Sequence, residues 1–368
     1  MPDQEGNPTG VERSLLGRLY PCHQKKTCFA YLLLLFVTLL LYSIWSEKYQ
    51  LHQHYQRLAS KTYWVNAPPY RVHPKHKAKL GFTDAKTNVV RLTGSTQYHL
   101  AYSQNYHFIM DVGQVCEGQA PFLVLMVPVE PANVAARDAI RSTWGKEKLV
   151  QGEKVLTLFM LGSVEGADLR QENELHGDLI QSNFRDTYVN LTIKTMVIMG
   201  WLAARCPKAA YAMKIDSDMF LNVENLVLML QKPGIPRTNY LTGMLMWNQP
   251  VLRSKSSKWY VPEDLYPDPR YPLYALGMGY VFSNDLPRKL VESSKSIKPF
   301  NIEDAYVGMC MKNLGLAPTS PPDPSQFQTY NVQFDPCTYS KIITAILSSP
   351  SELITFWMQL KRAPAPAC

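Results

Sequence analysis

Apolar positions fall into three regimes along the chain. The first is one run, Phe29 to Trp45 (FAYLLLLFVTLLLYSIW), 17 residues long and without a charge. The second, residues 46–115, is polar and basic, and its APPYRVHPKHKAK stretch has no sustained periodicity. The third starts near Cys116 and alternates. PFLVLMVPVE (121–130) is a continuous apolar run of strand length, which suits a strand buried on both faces. ANVAARDAIRSTWG (132–145) has helical spacing, KVLTLFMLG (154–162) is a second buried strand, and ADLRQENELHGD (167–178) is polar and helical. LTIKTMVIMGWLAARC (191–206) sets Ile193, Val197, Ile198, Trp201 and Leu202 on one helical stripe. AYAMKIDSD (210–218) is a third strand ending in acid, and VENLVLMLQK (223–232) is a helix. This alternation predicts an α/β domain with a mainly parallel sheet, whose ligand binds beyond the strand carboxyl ends. No internal repeat is present.

The apolar run is long enough to span a bilayer, which takes about 17–25 such residues. A buried helix of a soluble core fits less well, because the run is uniformly apolar and adjoins a polar tail. A cleaved signal peptide would carry a shorter apolar stretch and a small-residue cleavage site, and SIWSEKYQ offers none. An uncleaved signal anchor is expected. Arg13, Arg18, Lys25 and Lys26 precede the span, and only Lys48 and Arg57 follow at a comparable distance. That asymmetry places the N-terminus in the cytosol and the bulk of the chain in a lumen. A span at the short limit suits the thinner, early secretory membranes. The expected organisation is a cytoplasmic tail (1–28), a transmembrane signal anchor (29–45), a stem (46–115) and a lumenal domain (116–368).

Composition narrows the function classes. The 368 residues are 46% hydrophobic and 18% charged, enough for one sizeable core or at most two domains and too apolar for wholesale disorder. The net charge is +8, and residues 46–116 contribute nine Lys/Arg against only Glu47, Asp84 and Asp111. A nucleic-acid binder would carry its basic residues on the folded module. Here they lie on the flanking segment, so no nucleic-acid partner is expected. No HExxH, GxxxxGK[ST], GxSxG or CxxC pair occurs.

A lumenal domain also changes the meaning of cysteine. Cys22 and Cys28 lie on the cytosolic side, Cys116, Cys206, Cys310 and Cys337 in the folded part, and Cys368 ends the chain. One sequence does not fix connectivity. The pairing expected is Cys116–Cys206 and Cys310–Cys337, leaving Cys368 spare, with buried free thiols as the alternative. Asn190-Leu191-Thr192 is a glycosylation sequon if this region is lumenal.

Three segments carry candidate chemistry. Asp216-Ser217-Asp218 leaves the end of a buried strand, where two dry, unpaired carboxylates would be prohibitively costly. A divalent cation such as Mg²⁺ or Mn²⁺ would satisfy them and bridge to substrate phosphates. The alternative is an exposed turn, or an N-cap for the VENLVLML helix. Glu303-Asp304 opens a second helical segment. Its acids either offset the helix dipole or include a general base that takes the proton of an incoming hydroxyl. Arg137 and Arg141-Ser142-Thr143-Trp144-Gly145 follow the first strand. They offer guanidinium groups to phosphate and an indole to a base or sugar, or else form a surface helix with a buried Trp.

The order AIRSTWG, MKIDSD, EDAYVG resembles the β-1,3-glycosyltransferase family, most nearly its β-1,3-galactosyltransferases. The likeness runs from about Tyr106 to Leu360. It includes NLTIKTM (190–196), DSDMFLN (216–222), SKWYVPEDLYP (257–267), GYVFS (279–283), EDAYVG (303–308) and PSELITFW (350–357). The resemblance implies a type II Golgi membrane protein with a lumenal GT-A fold, a mixed, mainly parallel sheet flanked by helices. It implies inverting transfer from UDP-galactose to an N-acetylglucosamine-terminated glycan, with Mn²⁺ as the metal. It gives Asp218 the metal and Asp216 the ribose or metal shell, and makes Asp304 the base. Arg141, Trp144 and Lys214 go to the donor pocket, and Trp259, Tyr260 and Glu303 to the acceptor.

The sequence departs from the family pattern twice. Galactosyl members usually read Cys-Ser-Gly-x-Gly-Tyr where this chain has Ala275-Leu276-Gly277-Met278-Gly279-Tyr280, which bears on donor choice. Related enzymes commonly supply a metal-binding histidine at the position of Ile346, and this chain has no histidine after His176.

Overall fold

The computed structural model describes residues 38, 39, 42, 43, 106–118, 120–362 and 368. The tail, most of the stem and the predicted span lie outside the described residues, apart from helical Thr38, Leu39, Tyr42 and Ser43. Among the described residues no helix is long and apolar enough to cross a membrane.

Among the described residues the first strand is β1 (Phe108–Met110), upstream of the domain boundary expected at Cys116. The alternation then runs β2 (Leu123–Pro128), α1 (Val134–Ser142), β3 (Leu149–Val150), β4 (Glu153–Ser163), α2 (Arg170–His176), β5 (Leu179–Arg185), α3 (Leu191–Arg205) and β6 (Tyr211–Ile215). After β6 come β7 (Met219–Leu221), α4 (Val223–Gln231), β8 (Leu241–Met246), β9 (Tyr274–Ser283), α5 (Leu286–Ser294) and α6 (Glu303–Asn313). The chain closes through β10 (Phe327–Asn331), α7 (Pro336–Lys341), β11 (Thr344–Ile346) and α8 (Pro350–Arg362).

The main sheet has the order β1-β5-β4-β2-β6-β9-β8, with β3 against β4. Strands β5, β4, β2 and β6 run parallel, whereas β1, β9 and β8 join antiparallel. Every residue of β2 and β6 is buried, as the unbroken apolar runs imply for strands covered on both faces. Successive strands go from β2 outward through β4 to β5, and β6 then returns to the other side of β2. That reversal opens a crevice at the strand carboxyl ends, where Asp216 and Asp218 leave β6. A smaller sheet, β10-β11-β7, continues from this turn.

Helix α3 departs from the single stripe expected of it. Thr192, Lys194, Thr195, Met196 and Met199 are buried alongside Ile193, Ile198, Trp201 and Leu202, and Val197 is only half-buried. The cause is packing on several sides, against α5 and α6 as well as strands of the main sheet. At its C-terminal end, Trp201 Nε1 donates to Asp111 at 2.8 Å, Arg205 pairs with the same carboxylate, and Cys116 bonds to Cys206. These contacts pin the incoming chain to α3.

The other expected disulfide is corrected. Cys337 pairs with Cys368, with Cα atoms 5.7 Å apart, and Cys310 is a buried free thiol. Cys310 lies on the inner face of α6, fully buried in the core, whereas Cys337 sits half-buried in α7 within reach of the chain end.

Candidate active site

β6 carries one cation in its buried interior, Lys214. Its ammonium donates to Asp216 Oδ1 at 2.7 Å, to Glu303 Oε1 at 2.9 Å and to the Gly277 carbonyl. An ammonium has three hydrogens, and these partners use all of them. Burial pulls the Lys214 pKa down, but Asp216 and Glu303 more than reverse that and hold it above the ordinary lysine range. Lys214 is therefore a structural bridge between the acidic turn after β6 and the first turn of α6. This corrects its expected place in the donor pocket.

The same bridge corrects Glu303. Its carboxylate is buried, paired with Lys214 and approached by the Tyr280 hydroxyl at 3.4 Å, so it does not reach an acceptor. Its neighbour Asp304 is half-buried. Asp304 Oδ2 accepts from Gly277 N at 2.9 Å and Oδ1 from Ala305 N at 2.8 Å. Burial, then the Glu303 charge, push the Asp304 carboxyl up to about 7. Gly277 is glycine for a steric reason, since a Cβ there would lie 2.6 Å from Glu303 Oε1.

Asp218 faces solvent, and among the described residues it has no ion-pair partner. The surrounding protein, then Asp216, raise its carboxyl to about 6, an effect its solvent access tempers. Neither aspartate caps α4, because Asn222 does so by accepting from Asn225 N at 3.1 Å. Hard carboxylate oxygens suit Mn²⁺ or Mg²⁺. Among the described residues no group of three His, Cys, Asp or Glu side chains could hold a metal. A cation here would complete its shell from water and phosphate. The position of Ile346 is adjacent: its Cα pairs with Met219 across β11 and β7, and Leu347 N donates to Asp218 O at 2.9 Å.

Two further expectations are corrected at α1. Arg141 makes a double contact to Asp178 at 2.8 and 2.7 Å, meets Glu172 and Asp138, and lies over the Phe159 ring. Its guanidinium is committed to carboxylates and not to phosphate. Arg137 is fully buried on Glu172 in the same network. Trp144 has no exposed surface, and its Nε1 donates to the Met219 carbonyl at 3.1 Å. It supports the turn bearing Asp218 from beneath.

The wall that faces both acidic groups comes from elsewhere. The Tyr188 hydroxyl is pushed up to about 12 by burial, then by Asp304 and Asp216. The Lys258 ammonium lies 4.6 Å from the Trp259 ring centroid and 5.9 Å from that of Tyr188. Tyr260 ties this loop to the segment just before α6, its carbonyl accepting from Asn301 Nδ2 at 3.2 Å. Tyr271 is stacked on Phe300, and its buried hydroxyl has no hydrogen-bond partner among the described residues. Burial, then Asp304, raise its pKa. Tyr188, Lys258, Tyr271 and Gly277 were not singled out in the sequence. Lys258 adjoins Trp259 in SKWYV, and Gly277 is kept within the altered ALGMGY, but nothing in sequence spacing points to Tyr188.

A cavity of about 740 Å³ lies elsewhere, lined by Asp111, Gln114, Glu117 and Arg205 beside the Cys116–Cys206 bond. That corner precedes β6, whereas the carboxylates follow it. At the carboxylate end, Lys214 links Asp216 of the DSD turn to Glu303, the neighbour of Asp304. The arrangement offers an anion-binding or cation-binding edge and a base with a pKa near neutrality.

A family model described as galactosyltransferase matches residues 135–322. Beta-1,3-galactosyltransferase 2 of Pongo abelii is 39% identical over 324 residues, which is 83% of this chain and 76% of that protein. Beta-1,3-galactosyltransferase 1 of Mus musculus is 39% identical over 258 residues, 69% of this chain and 78% of that one. Among solved structures, the apo form of the bifunctional glycosyltransferase WbbM aligns with a TM-score of 0.37 at 13% identity. The alignment covers 66% of this chain and 50% of that chain.

Proposed function

The chain belongs to the galactosyltransferase family, and from that premise we propose that it transfers galactose from UDP-galactose, with inversion, to the 3-hydroxyl of a β-linked N-acetylglucosamine on glycoproteins or glycolipids. The observation that carries this reading is the Lys214 bridge. It joins the Asp216–Asp218 turn to the Glu303–Asp304 turn, so that a cation-binding carboxylate and a base serve one space. The fold this supports is GT-A.

In this reading the donor diphosphate lies at Asp218, which with Asp216 holds Mn²⁺. When bound, the metal offsets the charge that develops on the leaving nucleotide. Asp304 accepts the proton of the acceptor 3-hydroxyl, and the freed oxygen bonds to the anomeric carbon from the face opposite the diphosphate. The bond from that carbon to UDP breaks, and its electron pair stays on the phosphate oxygen. An α-linked donor thus gives a β-linked product. Trp259 and Tyr188 offer aromatic surface to a sugar, and the loop that holds Tyr260 is fixed to the segment just before α6.

The same reading makes the chain a single-pass type II Golgi membrane protein with a lumenal catalytic domain. The charge-free run from Phe29 to Trp45 and its flanking basic residues support it. Two disulfides in the folded part suit an oxidising compartment. Glycosylation at Asn190 belongs to this proposal; the residue is half-buried and its amide nitrogen donates to the Arg185 carbonyl at 2.8 Å.

The test is incubation of the purified protein with Mn²⁺, an N-acetylglucosaminide and radiolabelled UDP-galactose or UDP-N-acetylglucosamine. Galactose incorporation is expected. Incorporation from the second donor alone would replace galactose by N-acetylglucosamine in this reading. Incorporation from neither, with a folded sample and several acceptors, would remove the transferase reading in favour of a glycan-binding role.

A further inference from the structure

The chain between β8 and β9 is a long loop folded around one cation. It is closed at its base, where Tyr271 N donates to the Gln249 carbonyl at 2.9 Å and Val251 N to the Pro269 carbonyl at 3.0 Å. Within that closure Arg253 donates from Nη1 to the Val261 carbonyl at 2.7 Å. Its Nη2 donates to the Tyr266 and Asp268 carbonyls at 2.6 and 3.0 Å. All three acceptors are backbone groups of the loop itself, one just after Trp259 and Tyr260 and two on the returning limb. A planar guanidinium meets both limbs at once because its donors are fixed in a fork, which a lysine ammonium lacks. The loop is also seated on the segment that carries the base. Tyr271 stacks on Phe300 with ring centroids 5.9 Å apart, and the Tyr266 hydroxyl meets Met309 Sδ of α6 at 3.6 Å. The Tyr260 carbonyl accepts from Asn301 Nδ2 at 3.2 Å. Phe300 and Asn301 precede Asp304 in the chain, and Met309 follows it.

We infer that Arg253 is a positioning residue for the acceptor glycan: it holds the loop in one shape, so that Trp259 and Tyr260 keep a fixed place relative to the segment bearing Asp304. This rests on the transferase reading above and adds to it the residue that controls acceptor affinity. Arg253 acts through the loop and not on a sugar. A loop ordered before the acceptor arrives has less freedom to lose on binding. None of the bonds that Arg253 makes runs to the DSD turn, so donor affinity is independent of them.

The experiment uses the full chain in detergent with Mn²⁺. Acceptor KM and kcat are measured with UDP-galactose and an N-acetylglucosaminide. The same acceptor is titrated by ligand-observed NMR in the presence of UDP, and UDP is titrated by calorimetry. Arg253→Lys keeps the charge and removes the fork. It should raise the acceptor KM and dissociation constant about tenfold, the size of one charge-assisted hydrogen bond, and leave the UDP dissociation constant within about twofold. An unchanged acceptor affinity overturns the inference, and so does a UDP affinity that falls in step with it, which is the mark of a general structural role. Should Arg253→Lys fail to fold, Asn301→Ala, which releases the Tyr260 carbonyl, is read in the same way. Unaltered protein that neither transfers galactose nor binds the N-acetylglucosaminide sinks the transferase reading and this inference with it. Acceptor binding that ignores Arg253 sinks this inference alone.

Discussion

The Lys214 ammonium and the Glu303 carboxylate lie 2.9 Å apart in the interior and join the C-terminal end of strand β6 to the first turn of α6. Asp216 and Asp218 follow Lys214 closely in the chain, and Asp304 follows Glu303. One buried pair thus sets the spacing between the acidic turn and the base. The Gly277 peptide completes the joint, its carbonyl on Lys214 and its N–H on Asp304.

Removing one partner of a buried ion pair costs about 3–5 kcal/mol, because the other is left without compensation. Glu303→Ala leaves Lys214 with Asp216, so the lower end of that range is expected, about 3 kcal/mol. Denaturant unfolding checks it. Activity should fall as well, since Asp304 loses its anchor. A variant as stable as the parent would show that the pair does not hold the two turns together.

Asp304→Asn should lower turnover by about 10²–10⁴-fold and leave the UDP dissociation constant within about twofold. The same change should alter stability in a defined direction. With its pKa raised to about 7, native Asp304 keeps a proton that the unfolded chain loses near pH 4. The stability from this group is full below the unfolded value and is lost as pH rises through about 7. The Asn variant lacks that loss, so the thermal midpoints of the two proteins should diverge in its favour as pH rises from about 4 to about 7 and run parallel above that. Weakened UDP binding would instead give Asp304 a structural role.

Catalysis needs the same group in its charged form. The kcat/KM profile should therefore rise with an apparent pKa near 7 and level off above it. A profile flat from pH 6 to 8, roughly the span over which such a base titrates, would point to a different proton acceptor.

Arg141→Ala tests whether this side chain serves structure or donor. Its guanidinium holds Asp178, Glu172 and Asp138, so the variant should lose about 2 kcal/mol of stability. The donor KM of the remaining folded protein should stay unchanged. A large rise in KM with normal stability would return Arg141 to the donor pocket.

The sequence made the frame of the site legible and hid its wiring. Buried strands such as LVLMVP and YAMKI are continuous apolar runs, so they and the acid at the end of β6 stand out. The short strands β1, β7 and β11 carry three residues each and owe their state to pairing, which no local pattern records. Lys214, Glu303, Arg141 and Trp144 were placed at the ligand because their chemistry suits phosphate or sugar. Whether a charged group faces a ligand or another residue depends on its partners across the fold. Glu303 lies 89 positions from Lys214, and Trp144 meets Met219 at a separation of 75. Cys310 misled for the same reason, since its burial inside α6 is set by tertiary packing and not by spacing among cysteines.

Ile346 supplies the last test, because its place beside Asp218 is set by strand register. Ile346 pairs with Met219, the residue after Asp218, and the next amide donates to the Asp218 carbonyl. The family resemblance implies that related enzymes commonly supply a histidine at this position, where this chain has an aliphatic side chain beside the acidic turn. Imidazole is a competent ligand for divalent metals, so Ile346→His adds a third protein donor beside two oxygens. Mn²⁺-dependent UDP binding should tighten by about tenfold, with the value in EDTA unchanged. Combining it with Asp218→Ala separates a shared cation from a separate effect, since residues acting on one ion give non-additive changes. If both side chains hold the same metal, the gain from histidine collapses once Asp218 is gone. A gain that survives in Asp218→Ala would mean that position 346 and the DSD turn do not meet at one cation.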